Sequence, residues 1–91
     1  MTSDDPFRDA VNAAILLAHR LGEPRVLELP YDLDDRLRQA ADAGDWDPGP
    51  PCRYRGLRIA QTNAAGARVL VWDRARETEM AQLVAWRSDA V

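Results

Sequence analysis

The stretch Cys52-Arg53-Tyr54-Arg55-Gly56-Leu57-Arg58-Ile59-Ala60-Gln61, then Thr62-Asn63-Ala64-Ala65-Gly66, then Ala67-Arg68-Val69-Leu70-Val71-Trp72-Asp73, decides how the chain is read. Two runs of β-branched, aromatic and apolar residues flank a polar link containing glycine, the pattern of a β-hairpin. In the first run Tyr54 is apolar at an even position, whereas Leu57 and Ile59 are apolar at odd positions. A regular strand alternates faces with period two, so the phase changes at Gly56. A bulge at Gly56 adds one residue and resets the phase. Tyr54, Leu57 and Ile59 then share an inner face, and Arg53, Arg55 and Arg58 an outer one. The competing reading is a tight turn at Arg55-Gly56, which leaves two short strands. In the second run we assign Ala67, Val69 and Val71 inward, because Arg68 then joins the other arginines. Leu70 and Trp72 are left on the outer face, to be covered by a helix or by a partner.

Working outward from this hairpin, Asp5 followed by Pro6 is a helix start, with a capping carboxylate before a proline at the first helical position. Phe7, Val11, Ala14, Ile15, Ala18 and Leu21 recur at helical spacing, and Gly22 and Pro24 close the helix. Residues 25–29 read as a short strand stopped by Pro30. Asp32 caps a second helix over 33–43 that ends at Gly44, with Leu33, Leu37, Ala40 and Ala41 as its apolar stripe. Asp45-Trp46-Asp47-Pro48-Gly49-Pro50-Pro51 is a proline-stiffened loop, with Trp46 plugging the edge of the core. Asp73 caps a final helix over 74–88, whose stripe is Met80, Leu83, Val84 and Arg87 with Trp86 beside it. Residues 1–4 read as a loose terminus. The expected fold is a single α+β domain over residues 1–91, in the order αβαββα. A small three-stranded sheet (strand 25–29, hairpin 52–61/67–72) carries helices over about 6–21, 33–43 and 74–88. If the second helix is a crossover, the strands it joins are parallel.

Charge is the clearest functional signal. All 12 basic residues are arginine, and the net charge is −3. Residues 32–51 carry six aspartates against two arginines, and residues 52–76 carry six arginines against Asp73 alone. A guanidinium is permanently charged and makes forked contacts to carboxylates or phosphates. The two segments can pair internally, or the basic one can meet a partner.

Few chemistries fit. One cysteine and one histidine cannot form a structural zinc site or an internal disulfide. Cys52 has no basic neighbour placed to activate it, and His19 reads as a boundary residue near a helix C-terminus. The Asp32, Asp34 and Asp35 group fits the first turn of a helix, where carboxylates are favoured. It lacks the spacing, glycine and distal glutamate of a calcium loop. There is no phosphate loop and no nucleophile motif. Asp4, Asp5 and Asp9 around the first helix do not fit a signal peptide or presequence, so a cytoplasmic, non-membrane location is expected.

These observations lead to a non-catalytic protein-binding module without cofactor or metal. Its partner-binding residues are Arg53, Arg55, Arg58, Arg68, Leu70 and Trp72, types that dominate protein interfaces. The alternative is a nucleic-acid accessory module using the same face, against which the acidic net charge counts. In format the chain resembles the short orphan proteins of phages and prophages of GC-rich bacteria, among them anti-CRISPR inhibitors that bind and block a host complex. The nearest to a motif is Tyr54-Arg55-Gly56-Leu57-Arg58-Ile59 followed by Val69-Leu70-Val71. The resemblance implies a protein partner within a larger host complex and a monomer or homodimer, and it transfers no functional residue. The chain departs from the strongly acidic DNA mimics of that group.

Overall fold

The computed structural model describes residues 5–86. The expected loose terminus, residues 1–4, and the end of the expected last helix, 87–88, lie outside them. The first helix, α1 (Pro6–Leu21), forms where the sequence places it. The Asp5 carboxylate accepts from the N–H groups of Phe7 at 2.8 Å and Arg8 at 3.3 Å, which satisfies two of the unpaired donors of the first turn. Burial raises the Asp5 pKa, but those backbone bonds and the nearby Arg36 outweigh it and hold the carboxyl below its ordinary value. Phe7, Val11, Ala14, Ile15 and Ala18 form the buried stripe.

Next come β1 (Glu23–Pro30), α2 (Tyr31–Ala40), β2 (Trp46–Asp47), β3 (Arg53–Tyr54), β4 (Leu57–Thr62), β5 (Arg68–Asp73) and β6 (Thr78–Leu83). The sheet is six-stranded, in the order β2-β3-β4-β1-β5-β6, and not three-stranded. β1 is parallel to β4, with α2 in the crossover between them, and antiparallel to β5. Both helices pack on one face, α1 over β5, β6 and β1 and α2 over β1 and β4. The core between helices and sheet includes Leu27, Leu29, Leu33, Leu37, Tyr54, Leu57, Val69 and Val71.

Four expectations are corrected. Gly56 is not a bulge. Arg55 and Gly56 both have positive φ, 50° and 84°, and form a two-residue reversal between β3 and β4. That is the geometry in which the turn's twist matches the strands'. Tyr54 pairs across the turn with Leu57, so Tyr54, Leu57 and Ile59 still face inward together.

Secondly, residues 52–61 and 67–72 are not hairpin partners, because β1 lies between β4 and β5. Neighbouring strands sit about 4.8 Å apart, and the link 63–67 is long enough to cross the end of β1.

Thirdly, the final helix over 74–88 does not form. Asp73 does accept from the N–H groups of Ala75 and Arg76, at 3.0 and 3.2 Å, but these bonds close a tight turn. Residues 78–83 then pair antiparallel with β5. Met80 and Val84 lie inward while Leu83, its side 68% exposed, lies on the opposite face. Trp86 returns to the core and meets the Phe7 ring edge-on at 5.4 Å.

Fourthly, α2 starts at Tyr31 behind Pro30, with no side-chain cap from Asp32. It ends at Ala40 because Ala41 is extended, so Gly44 falls in the following turn.

A Cβ at position 56 would meet nothing within 4 Å, so the strain of a side chain there is purely that of the left-handed backbone. Gly56→Ala is expected to lower unfolding free energy by about 1 kcal/mol. An unchanged urea midpoint would remove the turn from the account.

Candidate functional site

The register of the sheet determines what its uncovered face carries. Residues paired across strands share a face, so one row runs Asp47, Arg53, Arg58, Val26, Leu70, Ala81 across the six strands, with Arg53 between a carboxylate and Arg58. A second row runs Ala60, Glu28, Arg68, Leu83, and a third Glu23, Trp72, Glu79. No helix among the described residues covers these side chains. The face has an apolar middle (Val26, Ala60, Leu70), Leu83 at its β6 edge, a basic flank on β3 and β4 bordered by Asp47, and glutamates on β1 and β6.

Of the six expected partner-binding residues, Arg53, Arg58, Arg68, Leu70 and Trp72 do share this face. Arg55 does not. It occupies the turn, where its Nε lies 3.1 Å from Asp45 Oδ2 and its backbone N–H donates to Asp45 O at 2.7 Å. Arg68 is on the face but held there by Glu28 at 2.5 Å. Trp72 is half-buried, with the Arg25 guanidinium 5.3 Å from its ring centroid. Glu23, beside it, is held below the ordinary carboxylate range by the hydrogen bond and charge of Arg74, with Arg25 adding to the effect.

Arg53 and Arg58 differ from the rest. Both are exposed and neither makes an ion pair among the described residues. Ile59 N–H donates to Cys52 O at 3.0 Å, so the neighbouring Arg53–Arg58 pair is a non-hydrogen-bonded one. In such pairs side chains are closest, and like charges opposite each other are destabilising.

The hairpin β3–β4 that presents these two arginines is anchored to the helical layer. Tyr54 is fully buried, and its hydroxyl donates to Asn12 Oδ1 of α1 at 2.6 Å. Burial pushes that hydroxyl above the usual phenol range, although Arg55 and the Asn12 bond oppose the shift. Trp46 packs against the core with the Arg38 guanidinium 5.4 Å from its ring.

The residues weighed for chemistry are dispersed. His19 is exposed in the last turn of α1, beside a groove of about 460 Å³ lined by Glu23, Trp72 and Arg74. The Cys52 thiol donates to Pro48 O at 3.3 Å. Asp34 is buried and its Oδ2 accepts from Gln61 Nε2, while Asp32 and Asp35 are exposed. Sequence reasoning missed Val26, Glu28, Ala60, Ala81 and Leu83. The signal that could have found the last two is the alternation of Glu79, Ala81 and Leu83 against Met80, Gln82 and Val84.

Comparison with protein-family models, with curated proteins and with solved structures finds no match.

The three arginines of β3 and β4 should therefore separate in stability. Arg58→Gln relieves a repulsion and is expected to raise unfolding free energy by roughly 0.2–1 kcal/mol. Arg55→Gln removes a partly exposed pair and should lower it by about 0.5 kcal/mol. Urea denaturation reads both, and the reverse ranking would show that the Arg53–Arg58 contact is not repulsive.

Proposed function

We propose that this chain is a protein-binding module that acts through the uncovered face of its sheet, with Arg53 and Arg58 as the charged anchor. The observation that carries the reading is the juxtaposition of these two arginines beside an apolar middle. Two opposed guanidiniums cost the fold stability, and a carboxylate-bearing partner would turn that repulsion into a forked ion pair. Leu70 and Trp72 supply buried apolar area next to it, and arginine and tryptophan are enriched among residues that dominate binding energy. The expected six-residue site thus becomes Arg53, Arg58, Leu70 and Trp72, with Val26 and Leu83 added. Arg68 is a structural member, and Arg55 is removed. The format shared with phage-encoded inhibitors supports the narrower form of the reading, in which the partner belongs to a host complex that the contact blocks.

A nucleic-acid partner is the second reading, favoured by the same guanidinium pair. Glu23 and Glu28 on the same face are paired with Arg74 and Arg68, and Glu79 adds a negative charge. The face thus lacks the extended basic stripe that a phosphate backbone needs, whereas one acidic side chain needs only the two guanidiniums. The protein partner is therefore preferred.

The test is Arg53→Glu with Arg58→Glu. Introduced carboxylates repel an acidic partner and reverse its steering. Proteins retained from an extract of the native host by the wild type should be lost by the double variant, while its circular dichroism and melting temperature stay near wild type. Retention of the same proteins by a folded double variant would discard the face. In parallel, no binding to a generic duplex is expected near physiological salt. Micromolar affinity that falls steeply with added salt would favour the nucleic-acid reading.

A further inference from the structure

The two edges of the sheet are built differently. At one edge β2 has only two residues, and Pro48, Pro50 and Pro51 follow it, which blunts it against pairing. At the other, β6 has six residues, Thr-Glu-Met-Ala-Gln-Leu, with no proline and one charge, Glu79. Among the described residues no strand pairs with its outer side.

Which backbone groups face outward follows from one bond. Val84 N–H donates to Ala67 O at 3.0 Å, which makes Ala67–Val84 a hydrogen-bonded pair continuous with the β5–β6 register. Bonded and non-bonded pairs alternate in an antiparallel ladder. Gln82 and Met80 are then bonded to β5, and the N–H and C=O groups of Glu79, Ala81 and Leu83 point away from it. The Leu83 carbonyl is accordingly met by a side chain, the amide of Gln82 at 3.2 Å.

A second, independent feature lies above this edge. α1 covers β5 and β6. One flank of α1 faces α2 and the β3 hairpin, for Arg8 donates to Ala40 O at 3.1 Å and Asn12 accepts from Tyr54. At 100° per residue the opposite flank carries Ala10, Ala13 and Leu17. That flank overhangs the open edge and is apolar, and Leu17 is 45% exposed.

The geometry points to a homodimer formed by antiparallel pairing of β6 with β6 of a second copy, about a two-fold axis through Ala81. An axis normal to the sheet keeps both helical layers on one side, so only residues of equal parity can oppose each other. With Ala81 opposite Ala81 of the second copy, Glu79 opposes Leu83, and every outward N–H and C=O of the three residues finds a partner. No register by one residue does this, since it would oppose outward groups to inward-bonded ones. The only charge on the strand meets leucine and not its own copy. The two α1 flanks then approach over the seam and bury Ala13 and Leu17. A second copy is favoured over an unrelated strand because one segment supplies both self-complementary halves: the backbone register and the apolar overhang. This inference is independent of the sheet-face reading, and the variants that test it leave Arg53 and Arg58 untouched.

Sedimentation equilibrium of the full chain at roughly 100 μM should give twice the 10.2 kDa of one chain, with dissociation on dilution. Ala81→Pro removes an outward N–H that the isolated chain does not use, and it should give a folded monomer. Leu17→Glu should weaken the dimer by about tenfold or more through the helix flank alone, with the fold retained. Within a Cys52→Ser background, Ala81→Cys should form an inter-copy disulfide on mild oxidation. The opposed Cα atoms lie about 5.5 Å apart, within the range a disulfide spans. A wild type that sediments as one chain overturns the proposal, as does a folded Ala81→Pro that stays dimeric. If Ala81→Pro does not fold, the other two decide: an undiminished Leu17→Glu dimer with no disulfide at Ala81 overturns it, and weakening with disulfide formation supports it.

Discussion

The central place of β1 is the constraint on which the rest of the structure depends. Its Leu27 and Leu29 are fully buried, and they lie under both helices with β4 on one side and β5 on the other. A strand so placed forces the chain after β4 to cross over its end before β5 can pair. It also takes both helices to one face, since α1 leads into β1 and α2 leads out of it. Among the described residues the helices, of 16 and 10 residues, pack on β1, β4, β5 and β6 from one side of the sheet. The open face is therefore a consequence of connectivity, and its composition is what turns it into a surface with chemistry. Corners hold the arrangement tight. A Cβ at Gly22 would collide with the Trp72 carbonyl oxygen, so the turn from α1 into β1 rests directly on β5.

Most of the charge asymmetry in the sequence is consumed inside the fold. Arg55 pairs with Asp45, Arg68 with Glu28, Arg74 with Glu23, Arg36 with Asp5 and Arg8 with Asp42. Each of these pairs keeps at least one side chain in contact with solvent. Pairs screened in this way contribute little, up to about 1 kcal/mol each, so they position side chains more than they stabilise the chain. What they leave over is informative. The arginines of β3 and β4 oppose each other, Arg58 against like charge alone and Arg53 between Arg58 and Asp47. A sequence count of six arginines against one aspartate thus reduces to a local site of two.

The facing of the strands was legible in the sequence, and their partners were not. The common face of Tyr54, Leu57 and Ile59 follows from period-two alternation plus one phase change at Gly56. Alternation left two facings for the second run, and placing Arg68 with the other arginines chose inward Val69 and Val71 and outward Leu70 and Trp72. A bulge and a two-residue turn both need a permissive residue at Gly56 and give the same facing to every residue but Arg55, so the rest of the face survived an incorrect topology. Pairing is non-local: adjacent runs usually pair, but here β1 outcompeted the local hairpin. The last segment misled for a different reason. An aspartate accepting from the N–H groups two and three residues on looks the same at a helix start and at a tight turn. Glu79, Met80, Ala81, Gln82 and Leu83 are good helix formers, and a ladder with β5 overrode that preference.

The same overridden segment explains why the sheet ends as it does. A strand made of helix-forming residues is short of the β-branched side chains that usually mark one. It also carries a single charge, Glu79, and none of the prolines that guard a natural edge. The opposite edge, with its run of prolines, shows that this chain does protect backbone where pairing would be harmful. An edge left open beneath an apolar helix flank is then a surface whose hydrogen bonds and side chains ask for the same neighbour. The open face and the open edge make different demands. The face selects by side-chain charge and is sensitive to salt, whereas the edge selects by backbone register and is not. Joining two copies at β6 would leave Arg53 and Arg58 at the far ends of one continuous sheet. The apolar row Val26, Leu70 and Ala81 would then run uninterrupted through the seam between two basic anchors.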